Sequence, residues 1–488
     1  LRVPFSPLQL TWDITNRCPA KCIHCYNASD TEGGSVEDCP SELVDSILDD
    51  VIGTRPLTLG IGGGDPLVYK GLSTVINAIH GKAGPHMPSV TIGTNGFLIE
   101  DRRDLLEAII DIYTKAPFAV LFYISLHGSN AAIHDKVMAT AGAFEQAMRA
   151  ASFLRSHDVP FGMGVTPLTI NLEDLDRIVD VAIAAGATCL NISQFVPTGR
   201  GNACLDLTPE QYRWLTEWIV RKNAELGRLY VVTHEHYIAA VDPMSWRNRL
   251  FIGCTAGIYQ LGIRPNGDIV PCPLLPVVVG NVRKGPLEHV WSTSNVLRDL
   301  RQRAVAQPCA SCLLKLKCGG CRAVAYAYTG DHLGADVLCP YSAMEIRQLV
   351  AAHRSRAQPE VAASLDRGYA AGMLLTAPTD ARESASGRQN GVDAETLRRF
   401  GYRKAPFPYK RAFTEEIVVL NRLTSQLVSI SGDTVGIYEL LPDAGECYIS
   451  VEDLGTRFED KRGRPLPISD LAALVEAGLV ERRCAARE

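Results

Sequence analysis

Residues 17–27 read "RCPAKCIHCYN" and place Cys18, Cys22 and Cys25 in the spacing C-x3-C-x2-C. The trio follows a β-branched run, "LQLTWDIT" (residues 8–15), so the thiols stand just past the end of a strand. An iron–sulfur cubane has four irons and is held by thiolates, and three thiols leave one iron open to another molecule. The competing reading is a structural zinc site that borrows His24, although zinc prefers four closed ligands. The residues alone leave both open.

Outward from the trio, the first two hundred residues alternate. Short runs such as "PLTLGIGG", "SVTIGTN", "VLFYISLHG", "PFGMGVTP" and "CLNISQFV" each lead into a glycine-rich or polar turn, and most turns are followed by a helical pattern. In "NLEDLDRIVDVAIAAG" the stripe is Leu175, Ile178, Val179 and Ile183. Strand–helix repeats predict an α/β fold, a partial (β/α)6 TIM-like barrel, with function at the C-terminal strand ends. The unusual residues fall there: the trio after the first strand, "GGGDP" after the second, "TNG" after the third, "SLHG" after the fourth and "VPTGRG" after the sixth.

With 488 residues, 46% hydrophobic and 21% charged, the chain is globular and long enough for several domains. The expected division is a barrel over 1–235, a cysteine-rich domain over 236–350, an Ala/Ser/Gly/Arg-rich linker over 351–404, and a small α+β winged-helix-like domain over 405–488. A net charge of −5 argues against nucleic acid or an anionic membrane as partner. No window approaches ~18 uninterrupted apolar residues, and "LRVPFSPLQLTWDIT" lacks the form of a signal peptide; the expectation is a cytoplasmic protein without a membrane span. Fifteen cysteines in a reducing compartment read as metal ligands or catalytic groups rather than disulfides. Cys39, Cys189, Cys204, Cys447 and Cys484 stand apart from the clustered ones, and for any single one a small buried hydrophobe or inert thiol is the plainer reading.

The trio after a first strand and "GGGDP" after a second resemble the radical SAM superfamily over about residues 8–200. The resemblance implies a 4Fe–4S cluster on Cys18, Cys22 and Cys25 whose open iron is chelated by S-adenosylmethionine, and reductive cleavage to a 5′-deoxyadenosyl radical. It places Gly62, Gly63 and Gly64 at the methionine end, with Asp65 where Glu is usual. Thr94, Asn95 and Ser125 would line the ribose and methionine, Val165 would flank the adenine, and His24 joins the cofactor-binding set. Ser125-Leu126-His127-Gly128 departs from the usual S-x-D-G, making His127 a candidate substrate-facing proton shuttle; an ordinary hydrogen-bonding histidine is the plainer reading.

Downstream, Cys254-x12-Gly267-x4-Cys272 precedes Cys309-x2-Cys312-x5-Cys318-x2-Cys321 and Cys339. This resembles the SPASM extension with two auxiliary clusters, except that the family's commonest pattern has three residues where Cys318 and Cys321 are separated by two. The resemblance implies one auxiliary cluster on Cys309, Cys312, Cys318 and Cys339, and another on Cys254, Cys272 and Cys321 that lacks a fourth ligand. It brings the total to three 4Fe–4S clusters. Cys204 is the spare thiol to watch, as ligand or hydrogen-atom donor. A zinc ribbon on Cys309, Cys312, Cys318 and Cys321 would leave Cys254, Cys272 and Cys339 without a purpose.

"EEIVVLNRLTSQLVSIS" (415–431) reads as a hairpin, "DTVGIYELL" as an amphipathic helix and "PISDLAALVEAGLVERR" as a closing helix. This end resembles RiPP recognition elements, the peptide-binding domains typified by the PQQ peptide chaperone. Such a domain would hold the leader of a ribosomal precursor peptide as an added strand, beside Leu427–Ser431 and the helix around Leu471 and Leu474. The bland reading is a packing appendage. "VPTGRG", "PCPLLPVVVGNV" and "CGGCRAVAYAYTGD" resemble the SPASM branch that includes haem and haem d1 enzymes and also quinone-cofactor peptide maturases. Arg200 and Arg322 are candidates either for gripping carboxylates or, equally, for structural ion pairs. The expectation is a radical SAM/SPASM peptide maturase, served by an electron donor such as a flavodoxin or ferredoxin, that installs a C–C, thioether or related modification. The alternative is a tetrapyrrole side-chain-modifying radical SAM enzyme.

Overall fold

In β1 (Gln9–Thr15), Leu10, Trp12 and Ile14 are buried on one face while Thr11 and Asp13 alternate onto the other. A computed structural model of the chain describes residues 4–29, 38–83, 87–115, 120–226, 230–233, 235–242, 252–356, 400–404, 408–413, 416–421, 426–431, 451–462, 466, 471 and 480–484. It forms two compact units, Leu1–Val220 with Tyr230–Trp246 and Phe251–Ala352, and Arg221–Leu229 with Arg247–Leu250 and His353–Glu488.

In the first unit, β1 is followed in space by β2 (Thr58–Gly63), β3 (Ser89–Thr94), β4 (Val120–Ser125), β5 (Phe161–Val165), β6 (Leu190–Ile192) and β7 (Val231–Thr233), all parallel and in chain order. Between them run α1 (Ser41–Thr54), α2 (Leu72–Ala83), α3 (Arg103–Lys115), α4 (Ala131–Met138), α5 (Ala143–Ser156), α6 (Leu175–Ala185) and α7 (Pro209–Leu226). The architecture is the α/β partial barrel that the alternation predicts, with β7 added to the six expected strands. The buried stripe of α6 is Leu175, Ile178, Val179 and Ala182; Ile183, counted in the stripe from sequence, lies one step off it and is half-buried.

On the other side of β1 the sheet continues. β8 (Gln260–Ile263) pairs parallel with Gln9–Trp12, and β9 (Asp268–Val270) and β10 (Gly280–Asn281) follow antiparallel. The β8–β9 turn is the "RPNGD" signal, with Gly267 at φ +86°. The cysteine-rich segment thus extends the barrel's own sheet.

The barrel is hollow because of what its inner face carries. Neighbouring inward positions are Thr11–Gly60–Thr91, Asp13–Gly62, Gly93–Tyr123–Gly162 and Ser125–Gly164–Asn191. The opposite face, including Leu59, Ile61, Val90, Ile92, Phe122, Ile124, Met163 and Val165, is buried under helices. Closed (β/α)8 barrels fill this space with branched side chains; here small and hydroxyl-bearing residues leave it open.

In the second unit, β12 (Pro408–Phe413), β13 (Glu416–Asn421) and β14 (Gln426–Ser431) form an antiparallel meander that contains the expected hairpin. β11 (Phe400–Lys404) pairs antiparallel with β15 (Val480–Cys484). A helix spans Val451–Arg462, with Leu454 and Phe458 buried at the i, i+4 spacing of one face. "VERRC" is therefore a strand and not the end of the closing helix, because Phe400–Lys404 supplies it with a pairing partner. The "DTVGIYELL" helix, Cys447, Leu474 and residues 357–399 of the expected linker lie outside the described residues.

Candidate active site and cluster-binding sites

The first cysteine loop is clamped from three directions. From β2, the Gly64 and Asp65 amides donate to the carbonyls of Thr15 (2.7 Å) and Arg17 (2.8 Å). A Cβ on Gly63 or Gly64 would run into those carbonyls, so the glycines permit the loop and sheet to touch. From the loop after β6, the Arg200 side chain donates to the carbonyls of Cys22 (3.0 Å) and Ser29 (2.7 Å), and its amide donates to Cys25 O (2.9 Å). Below, the Ile23 amide donates to Val137 O at 3.0 Å, and Cys22 Sγ meets Met138 Sδ at 3.5 Å. Arg200, considered from sequence as a carboxylate grip, is thus committed to backbone carbonyls.

Around this loop stand the rim residues. Asp65 is buried and accepts from Leu67 N (2.9 Å), Thr94 Oγ1 (2.8 Å) and Asn95 N (2.9 Å), fastening the β2 loop to the β3 loop. Asn95 in turn donates through Nδ2 to Cys18 Sγ at 3.5 Å. Ser125 faces the lumen. The Val165 side chain is fully buried on the helix-facing side, and its neighbour Gly164 opens on the lumen.

Three histidines pack beside the loop: His24 meets His127 edge-on at 4.5 Å, and His127 stacks on His134 at 6.0 Å. Burial pushes His127 well below the ordinary histidine range and His24 down to about 4, so both rings are neutral at pH 7. His127 Nδ1 accepts from the Thr166 amide at 3.3 Å, which leaves its proton on Nε2. His127 is therefore suited to donate a hydrogen bond, in place of the neutral-pH proton shuttling considered from its sequence position.

The seven downstream cysteines fall into two groups. Cys309, Cys312, Cys318 and Cys339 line one cavity together with Tyr237, Asp336 and Tyr341. Cys254, Cys272 and Cys321 pack on a separate apolar cluster of Val196, Ala256, Leu275, Ala323 and Val324. That division separates Cys321 from the three partners a zinc ribbon would need. Among the described residues, no three His, Cys, Asp or Glu side chains close around a single ion.

The donor set fits iron–sulfur clusters. Burial pushes the thiols of Cys18, Cys22, Cys272 and Cys339 up to about 12. They hold their protons at neutral pH unless a cationic centre takes the proton's place. Cys204 is exposed on the short turn Ala203–Leu205, and its described contacts are with Asn202 and Thr169, not with either group. Arg322 is buried and donates through Nε and Nη1 to the carbonyls of Gly320, His332 and Gly334, while its Nη2 has no partner among the described residues.

Sequence reasoning missed two features. Asp336, buried between the thiol groups, accepts from the Cys321 amide (2.8 Å) and Tyr237 O–H (2.7 Å) and pairs with His236 Nε2 (2.8 Å), while lining the Cys309 cavity. At the end of β1, Asp13 accepts from Tyr26 O–H (3.3 Å) and Asn27 Nδ2 (3.5 Å), and Asn27 Oδ1 accepts from Arg264 (3.3 Å). An Asp inside a barrel strand and a Tyr-Asn pair directly after the third cysteine were the available signals.

A hollow parallel barrel with a thiol triplet at its mouth and further thiol groups on an extension of the same sheet defines an iron–sulfur enzyme of the partial-barrel class. The family description "Radical SAM superfamily" matches residues 12–182, and "SPASM: Iron-sulfur cluster-binding domain" matches 254–313. An AdoMet-dependent heme synthase of Methanosarcina barkeri is 28% identical over 351 residues, covering 69% of this chain and 97% of the relative. Mycofactocin maturase MftC of Mycolicibacterium smegmatis is 30% identical over 392 residues, covering 76% and 93%. In fold, the crystal structure of Streptococcus suis SuiB bound to precursor peptide SuiA is similar, with a TM-score of 0.56 at 19% identity over 70% of this chain and 77% of that one. The chain belongs to the radical SAM superfamily and carries a SPASM iron–sulfur domain. It is a radical SAM enzyme, and S-adenosylmethionine and 4Fe–4S clusters are its cofactors. Among the described residues, no helix is long and apolar enough to cross a membrane.

Proposed function

We propose that the chain is a peptide maturase that acts on a ribosomally made precursor peptide and installs a C–C, thioether or related modification. Cys18, Cys22 and Cys25 would hold the S-adenosylmethionine cluster. Cys309, Cys312, Cys318 and Cys339 would hold one auxiliary cluster and Cys254, Cys272 and Cys321 the other, three in all, with electrons from a flavodoxin or ferredoxin in the cytoplasm. When bound, S-adenosylmethionine supplies a 5′-deoxyadenosyl radical that takes a hydrogen atom from substrate. This chain's residues then have defined tasks. Arg200, Gly64 and Asp65 hold the loop and rim, the lumen glycines leave room for a nucleoside and a side chain, and the neutral His127 offers an Nε2–H.

The observation that carries the peptide reading is the three-stranded meander of the second unit, with β14 at its edge. An edge strand presents unpaired amides and carbonyls, on which an extended leader adds as a further strand with little demand on its sequence. The relatives named as maturases support the same assignment. The heme synthase relative, matched over 97% of its length and 69% of this chain, supports a second reading, modification of a tetrapyrrole side chain. The full-length chain and a version ending at residue 396 are used side by side as bait in lysate of the native host, with mass spectrometry of retained small peptides. Retention of one short peptide by the full-length chain alone supports the maturase. No retained peptide, with S-adenosylmethionine still cleaved by the full-length chain, turns the assignment to the tetrapyrrole.

A further inference from the structure

Unlike Arg200 and Arg322, whose described bonds go to backbone carbonyls, Arg264 at the end of β8 faces open space at the barrel mouth. It lines a cavity of about 220 Å³ with Asn16, Tyr26, Asn27, Thr198 and Gly199 on one side and Pro273, Leu274 and Pro276 on the other. Arg264 Nη1 donates to Asn27 Oδ1 at 3.3 Å and Nη2 to Pro273 O at 3.4 Å. Both are long for a guanidinium, whose charge-assisted bonds run about 2.7–2.9 Å. Among the described residues no carboxylate lies within 4 Å of it; the buried Asp13 carboxyl, whose pKa the guanidinium lowers, is beyond direct contact. Asp13, buried behind the wall, fixes Tyr26 and Asn27 through its two oxygens, so the polar side of the cavity is held in place before anything binds.

We propose that this cavity is a substrate carboxylate site, with Arg264 as the gripping cation. The guanidinium edge matches two carboxylate oxygens, and an ammonium would not reproduce that fit. The Pro273–Leu274–Pro276 wall takes the apolar group that bears the acid. Tyr26 follows Cys25 and Pro273 follows Cys272, so the bound group stands between the first cysteine loop and the Cys254 group. The volume admits one acid-bearing side group or chain end. The proposal rests on the barrel mouth receiving the substrate of a radical SAM enzyme and not on that substrate being a peptide.

The test uses the full-length, cluster-loaded protein with S-adenosylmethionine under anaerobic conditions, and equilibrium affinities by titration calorimetry. The probes are acetyl-Gly-Phe and acetyl-Gly-Leu as free acids and as carboxamides, and coproporphyrin with its tetramethyl ester. On the wild type, an acid binds at least tenfold more tightly than its neutral counterpart. Arg264→Gln abolishes that ratio and Arg264→Lys keeps part of it, with iron content and melting temperature reporting whether each variant is folded. Preference for the peptide acids identifies a peptide carboxylate, and preference for the porphyrin acid identifies a propionate. Equal affinities for acid and neutral probes, no measurable binding of any acid, or a ratio that survives in folded Arg264→Gln overturns the proposal. If Arg264→Gln does not fold, the wild-type ratio decides alone. Failure of the peptide-retention experiment leaves this ratio untouched, so the two readings fail separately.

Discussion

Removing the Arg200 side chain should loosen the first cysteine loop while leaving the barrel folded. Two bonds are lost, to Cys22 O at 3.0 Å and Ser29 O at 2.7 Å, while the amide bond from residue 200 to Cys25 O remains. Each has a charged donor, worth about 1.5–3 kcal/mol. The guanidinium is half-buried, so water recovers part of this, and the lower end applies: about 3 kcal/mol for the pair. At 1.4 kcal/mol per decade that is roughly a hundredfold rise in the open-loop population. The assay is the rate at which an iron chelator strips the reconstituted, anaerobic protein, followed by the electron paramagnetic resonance signal of the cluster that binds S-adenosylmethionine. Arg200→Ala should release that cluster's iron about a hundredfold faster, Arg200→Lys should fall between, and the auxiliary clusters should be unaffected. An unchanged release rate in Arg200→Ala would refute the clamp, as would equal acceleration at all clusters.

Asp65→Asn turns an amide N–H2 toward one of three donors that now meet carboxylate oxygens, at a cost of about 2–4 kcal/mol. Thermal melting without S-adenosylmethionine should drop by several degrees; an effect confined to cofactor affinity would make Asp65 a direct ligand instead. Within Cys309, Cys312, Cys318 and Cys339, a double Ala substitution should remove no more iron than a single one, whereas Cys312→Ala with Cys321→Ala should be additive by iron analysis. Burial raises the Asp13 carboxyl from 3.8 to about 6, so the folded chain binds this proton more tightly than the unfolded one. Stability from this group is present below about pH 4 and is lost as pH rises toward 6, by about 3 kcal/mol. Asp13→Asn should remove that slope from urea midpoints measured across pH 4–7.

Where function was legible in this sequence, it rested on neighbours along the chain. The trio spans eight positions, "GGGDP" is contiguous, and strand–helix alternation reports which face of each element is apolar, so fold and thiol groups could be reached from local pattern. What escaped depends on register. Arg264 and Asn27 are 237 residues apart and meet because β8 adds in parallel to β1, with Leu261 opposite Leu10. A shift of one residue in that pairing would turn Arg264 to the other face of the sheet. The same dependence bears on the two arginines that the sequence left open between ligand and structural roles. Arg200 stands in a glycine turn but satisfies carbonyls of the first cysteine loop, and Arg322 opens a helix just after a glycine turn and satisfies carbonyls at Gly320, His332 and Gly334. Arg264 follows a regular strand whose backbone is already paired by the sheet, and its guanidinium makes only two long bonds, to Asn27 Oδ1 and Pro273 O, at the edge of the cavity. An arginine at a strand end beside a buried acid is therefore a stronger candidate for binding substrate than one inside a glycine turn, and Asp13 marked that place from within "QLTWDIT".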